Sequence, residues 1–302
     1  MKYYVAIPTY NGGELWKTTV FSIKKHTPKE TLVQVIDSSS TDGTDSVALN
    51  AGFELLSIPG RDFNHGGTRN LAVEMHHSQY ELVIFLTQDA IPQMGFLEKI
   101  IDVFKDERVV CAYGRQIPHD DANPLAQHAR KFNYTDKSYI CSQEDVSRMG
   151  LKTVFMSNSF SAYRLSIFNE IGRFPSNTIL CEDMYYTAKA ILAGYKVAYV
   201  ADAVVKHSHN YSPIDEFKRY FDIGVFHANE KWIRENFGGA GGEGKKFILS
   251  EFSYLYKNGI LWIPVAFINN FMKICGYKLG LIYKKLPKKL VIRLSMHRRY
   301  WL

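Results

Sequence analysis

Residues 3–7 are a β-rich apolar run closed by Pro8 and read as core from the start. Residues 14–25 then place Leu15, Val20, Phe21 and Ile23 at helical spacing. A second strand is predicted over 31–36 and a short helix capped by Thr44 runs to Ala51. A third strand follows over 53–57. Gly66-Gly67-Thr68 opens a helix to Met75, and 82–86 is a fourth, fully apolar strand. Strand and helix therefore alternate through the first hundred residues, which predicts a mostly parallel sheet with right-handed crossovers. In such sheets ligands bind beyond the carboxyl ends of the strands, where the loops after strands one, two and four all fall.

The second hundred residues are less regular. A helix is predicted over 93–105 and a strand over 109–116, with 117–150 reading as a polar, irregular segment. The pattern returns to core over 156–163. It then predicts a helix over 183–193 ended by Gly194, a strand over 196–200, and one helix over 213–237 containing Gly224. Five glycines in seven residues (Gly238, Gly239, Gly241, Gly242, Gly244) predict a hinge over 238–244. The longest weakly polar stretch, 259–272, is too short on this reading to span a bilayer.

Charge divides the chain. Of 37 Lys/Arg and 30 Asp/Glu, twelve basic residues and one acid lie from Lys245 onward, so the tail carries +11 and the remainder −4. With 46% hydrophobic and 22% charged residues the chain is an ordinary folded protein rather than a disordered one. Cys111, Cys141, Cys181 and Cys275 form no CxxC pair and read as buried free thiols of a cytosolic protein. No secretory leader is expected ahead of the first strand. The tail interleaves aromatic, apolar and basic residues, which suits a helix lying at a membrane surface, with each cation worth about 1 kcal/mol near anionic lipid. A lid on the core or a homo-oligomer interface is the rival reading.

Several polar residues fall where chemistry is expected. Asp89, directly after the fourth strand, is placed to hold a hard divalent cation or to cap a turn. Asp37 and the loop Ser38-Ser39-Ser40-Thr41-Asp42-Gly43 suit a ribose or base edge, or an ordinary turn. Gly66-Gly67 and Arg69 open a helix whose N-terminus favours phosphate. Glu182-Asp183 begin a helix, as dipole partners or as a general base. His207 and His209 alternate on extended chain and can reach one site with Asp89.

In order along the chain, Ile7-Pro8-Thr9-Tyr10-Asn11, Val35-Ile36-Asp37-Ser38-Ser39-Ser40-Thr41-Asp42-Gly43-Thr44, Phe63-Asn64-His65-Gly66-Gly67-Thr68-Arg69-Asn70, Thr87-Gln88-Asp89-Ala90 and Glu182-Asp183 resemble the family 2 glycosyltransferases, closest to bacterial rhamnosyltransferases. The third segment is the most specific. The resemblance implies an α/β fold, a GT-A-type Rossmann-like core with a mostly parallel sheet, plus a helical basic C-terminal region. Residues 1–237 would be the catalytic domain, with a nucleotide-sugar half over 1–116 and an acceptor half over 117–237. Residues 238–244 would be the hinge and 245–302 the membrane-associating region.

The resemblance further implies inverting transfer. Asp183 is the catalytic base. Thr9, Tyr10, Asn11, Asp37, Asp42, Gly67, Arg69 and Gln88 bind the donor. Asp89, with His207 or His209, holds Mg²⁺ or Mn²⁺, although only one of the family's usual aspartates stands in the motif at Asp89. The implied donor is dTDP-β-L-rhamnose and the acceptor a lipid-linked glycan of O-antigen, capsule or another bacterial surface polysaccharide. The implied place is the cytoplasmic face of the plasma membrane, against an anionic surface. A UDP-sugar is the alternative donor. A sugar nucleotidyltransferase is disfavoured because 8–13 carries no Lys or Arg. A nucleic-acid partner is not expected, because the positive charge is confined to one end.

Overall fold

The computed structural model describes residues 1–239 and 241–302. The chain runs β1 (Tyr3–Thr9), α1 (Gly13–His26), β2 (Val33–Asp37), α2 (Thr44–Asn50), β3 (Glu54–Ser57), α3 (His65–His76), β4 (Leu82–Leu86), β5 (Ile91–Pro92) and α4 (Phe96–Asp102). It continues β6 (Val109–Ile117), α5 (Pro124–Asn133), β7 (Tyr139–Cys141), α6 (Val146–Met149), β8 (Phe160–Arg164), α7 (Leu165–Ile171), α8 (Glu182–Leu192) and β9 (Lys196–Lys206). The last elements are α9 (Pro213–Asn229), α10 (Lys231–Phe237), α11 (Gly241–Asn258), α12 (Ile263–Leu281) and α13 (Lys288–Leu294).

One sheet has the order β3-β2-β1-β4-β8-β6-β9-β5, with β7 also on β9. The β3-β2-β1-β4 half is parallel throughout. β8 runs against both β4 and β6, and β9 runs with β6, so β1, β2, β3, β4, β6 and β9 share one direction. The expected mostly parallel sheet is therefore present. Alternate residues of one strand feed different layers. Tyr4 and Ala6 enter the apolar cluster on one face, and Val5 and Ile7 the cluster on the other. Val83 and Phe85 oppose Leu82, Ile84 and Leu86 in the same way. That is why these strands read as unbroken apolar runs.

Several elements depart from expectation. The stretch 117–150 holds a ten-residue helix, α5, started by the Asn123 side chain accepting from the Ala126 amide and by Pro124 in the first turn. The helix expected over 213–237 breaks at Glu230 into α9 and α10. α9 begins with a reciprocal cap between Ser212 and Asp215. Of the expected hinge, Gly238 and Gly239 lie outside regular structure, residue 240 lies outside the described residues, and Gly241–Gly244 form the first turn of α11.

The apolar stretch expected to end at Met272 continues. Ile260–Leu281 is 22 residues and contains an 18-residue window of mean hydropathy 1.3, long and apolar enough to cross a bilayer by length and composition. The following Lys273 does not end it, because its ammonium pairs with Glu216 at 3.2 Å. α12 packs along α9 in the same direction. A Cβ on Gly276 would collide with the Phe217 carbonyl, one on Gly280 with that of Phe221, and one on Gly224 with that of Tyr277. Backbones this close require glycine at all three positions. The opposite face of α12 presents Phe267, Ile268, Phe271 and Ile274 to solvent. The four cysteines are free thiols, as expected, but only Cys111 and Cys141 are buried, Cys181 and Cys275 being half-buried.

Candidate active site

Because six strands share a direction, their carboxyl ends meet at one edge, and β8, running the other way, starts there. Thr87–Asp89 after β4, Gln116 at the end of β6, Asn158 before β8, and His207 and His209 after β9 therefore converge. A cavity of about 540 Å³ is lined by Asp89, His207, His209, Glu182 and Asp183, with further walls from α5, α9, α11 and α12.

At one end, His207 Nε2 and His209 Nε2 lie 3.4 and 3.7 Å from Asp89 Oδ2. The three ligand atoms lie within 4.8 Å of one another. Gln116 Nε2 donates to Ser157 Oγ at 2.8 Å, so its Oε1 is the atom that meets His207 Nδ1 at 2.8 Å. Nδ1 must then carry a proton, so whatever His207 shares with the carboxylate is bound at Nε2, where a bare lone pair would face the negative oxygen. Two such electron-rich groups repel unless a proton or a metal cation lies between them. The donor set, one carboxylate and two imidazoles with a fixed tautomer, fits a divalent ion. Burial disfavours the Asp89 carboxylate, but His207 and His209 overcome it and hold the group below the usual carboxylate range. Burial and the neighbouring His207 push His209 down to about 3, the neutral form a ligand needs.

At the other end, α8 starts from Cys181, whose φ of 60° turns Glu182 and Asp183 inward. The two acids are treated differently. Glu182 is buried and accepts from Arg69 at 3.1 Å and from Asn158 Nδ2 at 2.8 Å. Burial opposes its charge, yet Arg69 and these contacts keep it low. Among the described residues, the Asp183 carboxylate accepts only the amides of Asn158 and Met184, at 3.1 and 2.8 Å. Burial, then the adjacent Glu182, pushes it up to about 7. A half-buried carboxylate titrating near neutrality can take a proton from a hydroxyl.

The loops after β1 and β2 hold each other. Asp37 is 2% exposed and accepts from Thr9 Oγ1 at 2.9 Å and the Ser40 amide at 2.8 Å. Asn11 accepts the Thr41 amide, and Asp42 those of Gly13 and Thr44. Gln88 clamps both backbone groups of Tyr10, at 2.8 and 3.0 Å. The Tyr10 ring is left 43% exposed, a face for stacking. Gly67 spends its amide on Asn64, and Gly66 is small because the Pro175 carbonyl packs on it. Arg69 lines the cavity but is bonded to the His65 carbonyl and Glu182.

Four participants were not singled out from sequence. Gln116 and Asn158 position the two acidic centres. Arg130 donates to Gln116 at 2.5 Å. Arg219, on α9, makes no hydrogen bond or ion pair among the described residues, and its guanidinium carbon lies 5.8 Å from the Tyr211 ring centroid. Both arginines line the cavity, so positive charge stands beside the Asp89 cluster. A cation site, unspent arginine charge and a near-neutral carboxylate in one cavity suit the departure of a diphosphate and deprotonation of an attacking hydroxyl.

Comparison with known proteins agrees in kind. The profile of Glycosyl transferase family 2 matches residues 4–172. The O-antigen chain rhamnosyltransferase RfbN of Salmonella typhimurium (strain LT2) is 50% identical over 303 residues, covering 100% of this chain and 96% of that protein. The O-antigen chain rhamnosyltransferase WbaN of Salmonella anatum is 49% identical, covering 98% and 94%. Among solved structures, the mannosyltransferase PcManGT from Pyrobaculum calidifontis, in complex with GDP-Man and Mn²⁺, superposes with a TM-score of 0.57 at 19% identity, over 99% of this chain and 84% of that one. That likeness establishes the fold.

Proposed function

The chain belongs to glycosyl transferase family 2, and from that premise we propose that it transfers L-rhamnose from dTDP-β-L-rhamnose to a hydroxyl of a lipid-linked glycan in bacterial surface-polysaccharide synthesis. It is a glycosyltransferase with the GT-A fold. The rhamnosyl assignment rests on half-identity to two O-antigen rhamnosyltransferases over nearly the whole chain. The observation that carries the mechanism is that Asp89 and Asp183 face one cavity.

In this reading residues 1–116 take the nucleotide and 117–237 the acceptor. The base stacks on Tyr10, with Thr9, Asn11, Asp37, Asp42 and Gln88 shaping the loops that receive it. Gly67 and Arg69 set the start of α3 beside the cavity. Asp89, His207 and His209 would hold Mg²⁺ or Mn²⁺, which when bound would neutralise charge on the diphosphate. Arg219 and Arg130 add positive potential there. Asp183 removes the proton of the acceptor hydroxyl as its oxygen attacks the anomeric carbon. Attack comes from the face opposite the departing diphosphate, so the β-linked donor yields an α-L-rhamnoside.

The outer face of α12, with the basic residues of 245–302, rests on the cytoplasmic leaflet. A helix fastened to α9 through three glycines is better placed to lie on a bilayer than to cross it. A screen of dTDP-rhamnose, UDP-hexoses and GDP-mannose with Mn²⁺, scoring transfer and thermal shift, tests the donor. Preference for dTDP-rhamnose is expected. Preference for another nucleotide sugar overturns the donor while leaving the class.

A further inference from the structure

The chain does not trail away after α13. The amides of Met296 and His297 both donate to Asp222 Oδ2 on α9, at 2.9 and 3.0 Å. From that clamp the last residues cross the cleft. His297 lines the cavity that holds Asp89 and Asp183, with its Nδ1 3.4 Å from His65 Nε2. Two residues further on, Arg299 lies over one face of the Tyr10 ring, its guanidinium carbon 5.0 Å from the centroid. Its two terminal nitrogens donate to the Gly60 carbonyl at 3.3 Å and the Tyr10 hydroxyl at 3.2 Å. Tyr300 closes the crossing with a hydrogen bond to the Asn177 carbonyl at 2.9 Å.

The position has a consequence for any nucleotide sugar bound as described above. A base beside Tyr10 and a diphosphate beside Asp89 leave the ribose and α-phosphate to occupy the interval between them. The chain from Arg299 to His297 covers that interval. Arg299 is exposed, and among the described residues no carboxylate pairs with it, so its charge is free for an anion. A guanidinium offers phosphate a planar fork of donors.

We propose that residues 295–302 form the roof of the donor subsite, with Arg299 binding the α-phosphate of the nucleotide and Asp222 positioning the roof. The proposal rests on the nucleotide-sugar reading of the site. The tail is thereby part of the active site and not only a membrane-facing appendage. At its rim the roof meets neutral acceptors, the Gly60 and Asn177 carbonyls and the Tyr10 hydroxyl, rather than carboxylates, and can lift to exchange nucleotides.

The test uses the full-length protein with Mn²⁺. dTDP, UDP and GDP are titrated calorimetrically into wild type, and the tightest becomes the probe. Arg299→Ala is expected to weaken that probe about tenfold, the loss of one charge-assisted, stacked contact. Arg299→Lys should recover part of it. The same Ala variant should raise donor KM by a similar factor, with acceptor KM and melting temperature unchanged. Asp222→Asn should weaken the probe less, and add little on top of Arg299→Ala, because it acts through the roof. Nucleotide should slow amide hydrogen exchange over 296–302. Wild type that binds a probe while Arg299→Ala binds it within twofold overturns the roof and leaves the donor reading standing. Wild type that binds none of the three overturns both.

Discussion

Asp89 and Asp183 line the same cavity, yet their surroundings drive them apart. Asp89 sits among imidazoles and stays ionised despite burial. Asp183 sits beside a second carboxylate whose partner, Arg69, is already engaged, and it is pushed up to about 7. The lesson is that one residue type acquires two ionisation behaviours from its neighbours: one carboxyl held as an anion, the other poised near neutrality.

The contrast can be broken by removing each acid in turn. Asp183→Asn should lower kcat by about a thousandfold, the scale of a lost general base, while nucleotide binding stays within twofold. Near-normal turnover would remove Asp183 from the role. Asp89→Ala should instead act on binding, raising the Mn²⁺ required by about a hundredfold. Gln116→Leu, which frees the His207 tautomer, should cost about tenfold in the same titration. Equal effects of Asp89→Ala and Asp183→Asn on metal binding would erase the distinction.

Two smaller effects sharpen it. If chemistry is confined to the cavity, Phe267→Ser with Phe271→Ser on the outer face of α12 should reduce flotation with anionic vesicles by about tenfold and leave kcat on a soluble acceptor unchanged. Unchanged flotation would detach the membrane reading from that face. The last effect is on pH. The base works ionised, so kcat should fall as pH drops through about 7. Glu182→Gln removes the adjacent negative charge, which lowers the Asp183 pKa and moves the half-maximal pH downward. A profile that stays in place or moves up would show that Glu182 does not set it.

Much of this was legible in the chain. Unbroken apolar runs marked β1 and β4, and a polar residue directly after each strand marked the edge. α5 was also legible, since Asn123-Pro124 is a helix start, but the polarity of the surrounding residues masked it. The glycines of α12 carried a signal too: Gly276 and Gly280, four apart, suit close helix contact, though nothing local named Gly224 as their partner. Arg219 had no signal, because on a helix it looks like any solvated charge. Nor did Arg299, whose neighbours Arg298 and His297 suggested a basic tail and not a contact with Tyr10.

The sequence by itself determined which segments become strands, where they stop, and hence which acids and histidines stand at the ligand edge, because burial and backbone periodicity are local properties of a run of residues. Only the tertiary structure decided that Gln116 fixes His207, that Glu182 raises Asp183 while Arg69 restrains Glu182, and that the last eight residues return over Tyr10. Charge and hydrogen bonding act through a few ångströms of space, and those distances exist only once remote stretches of chain have packed.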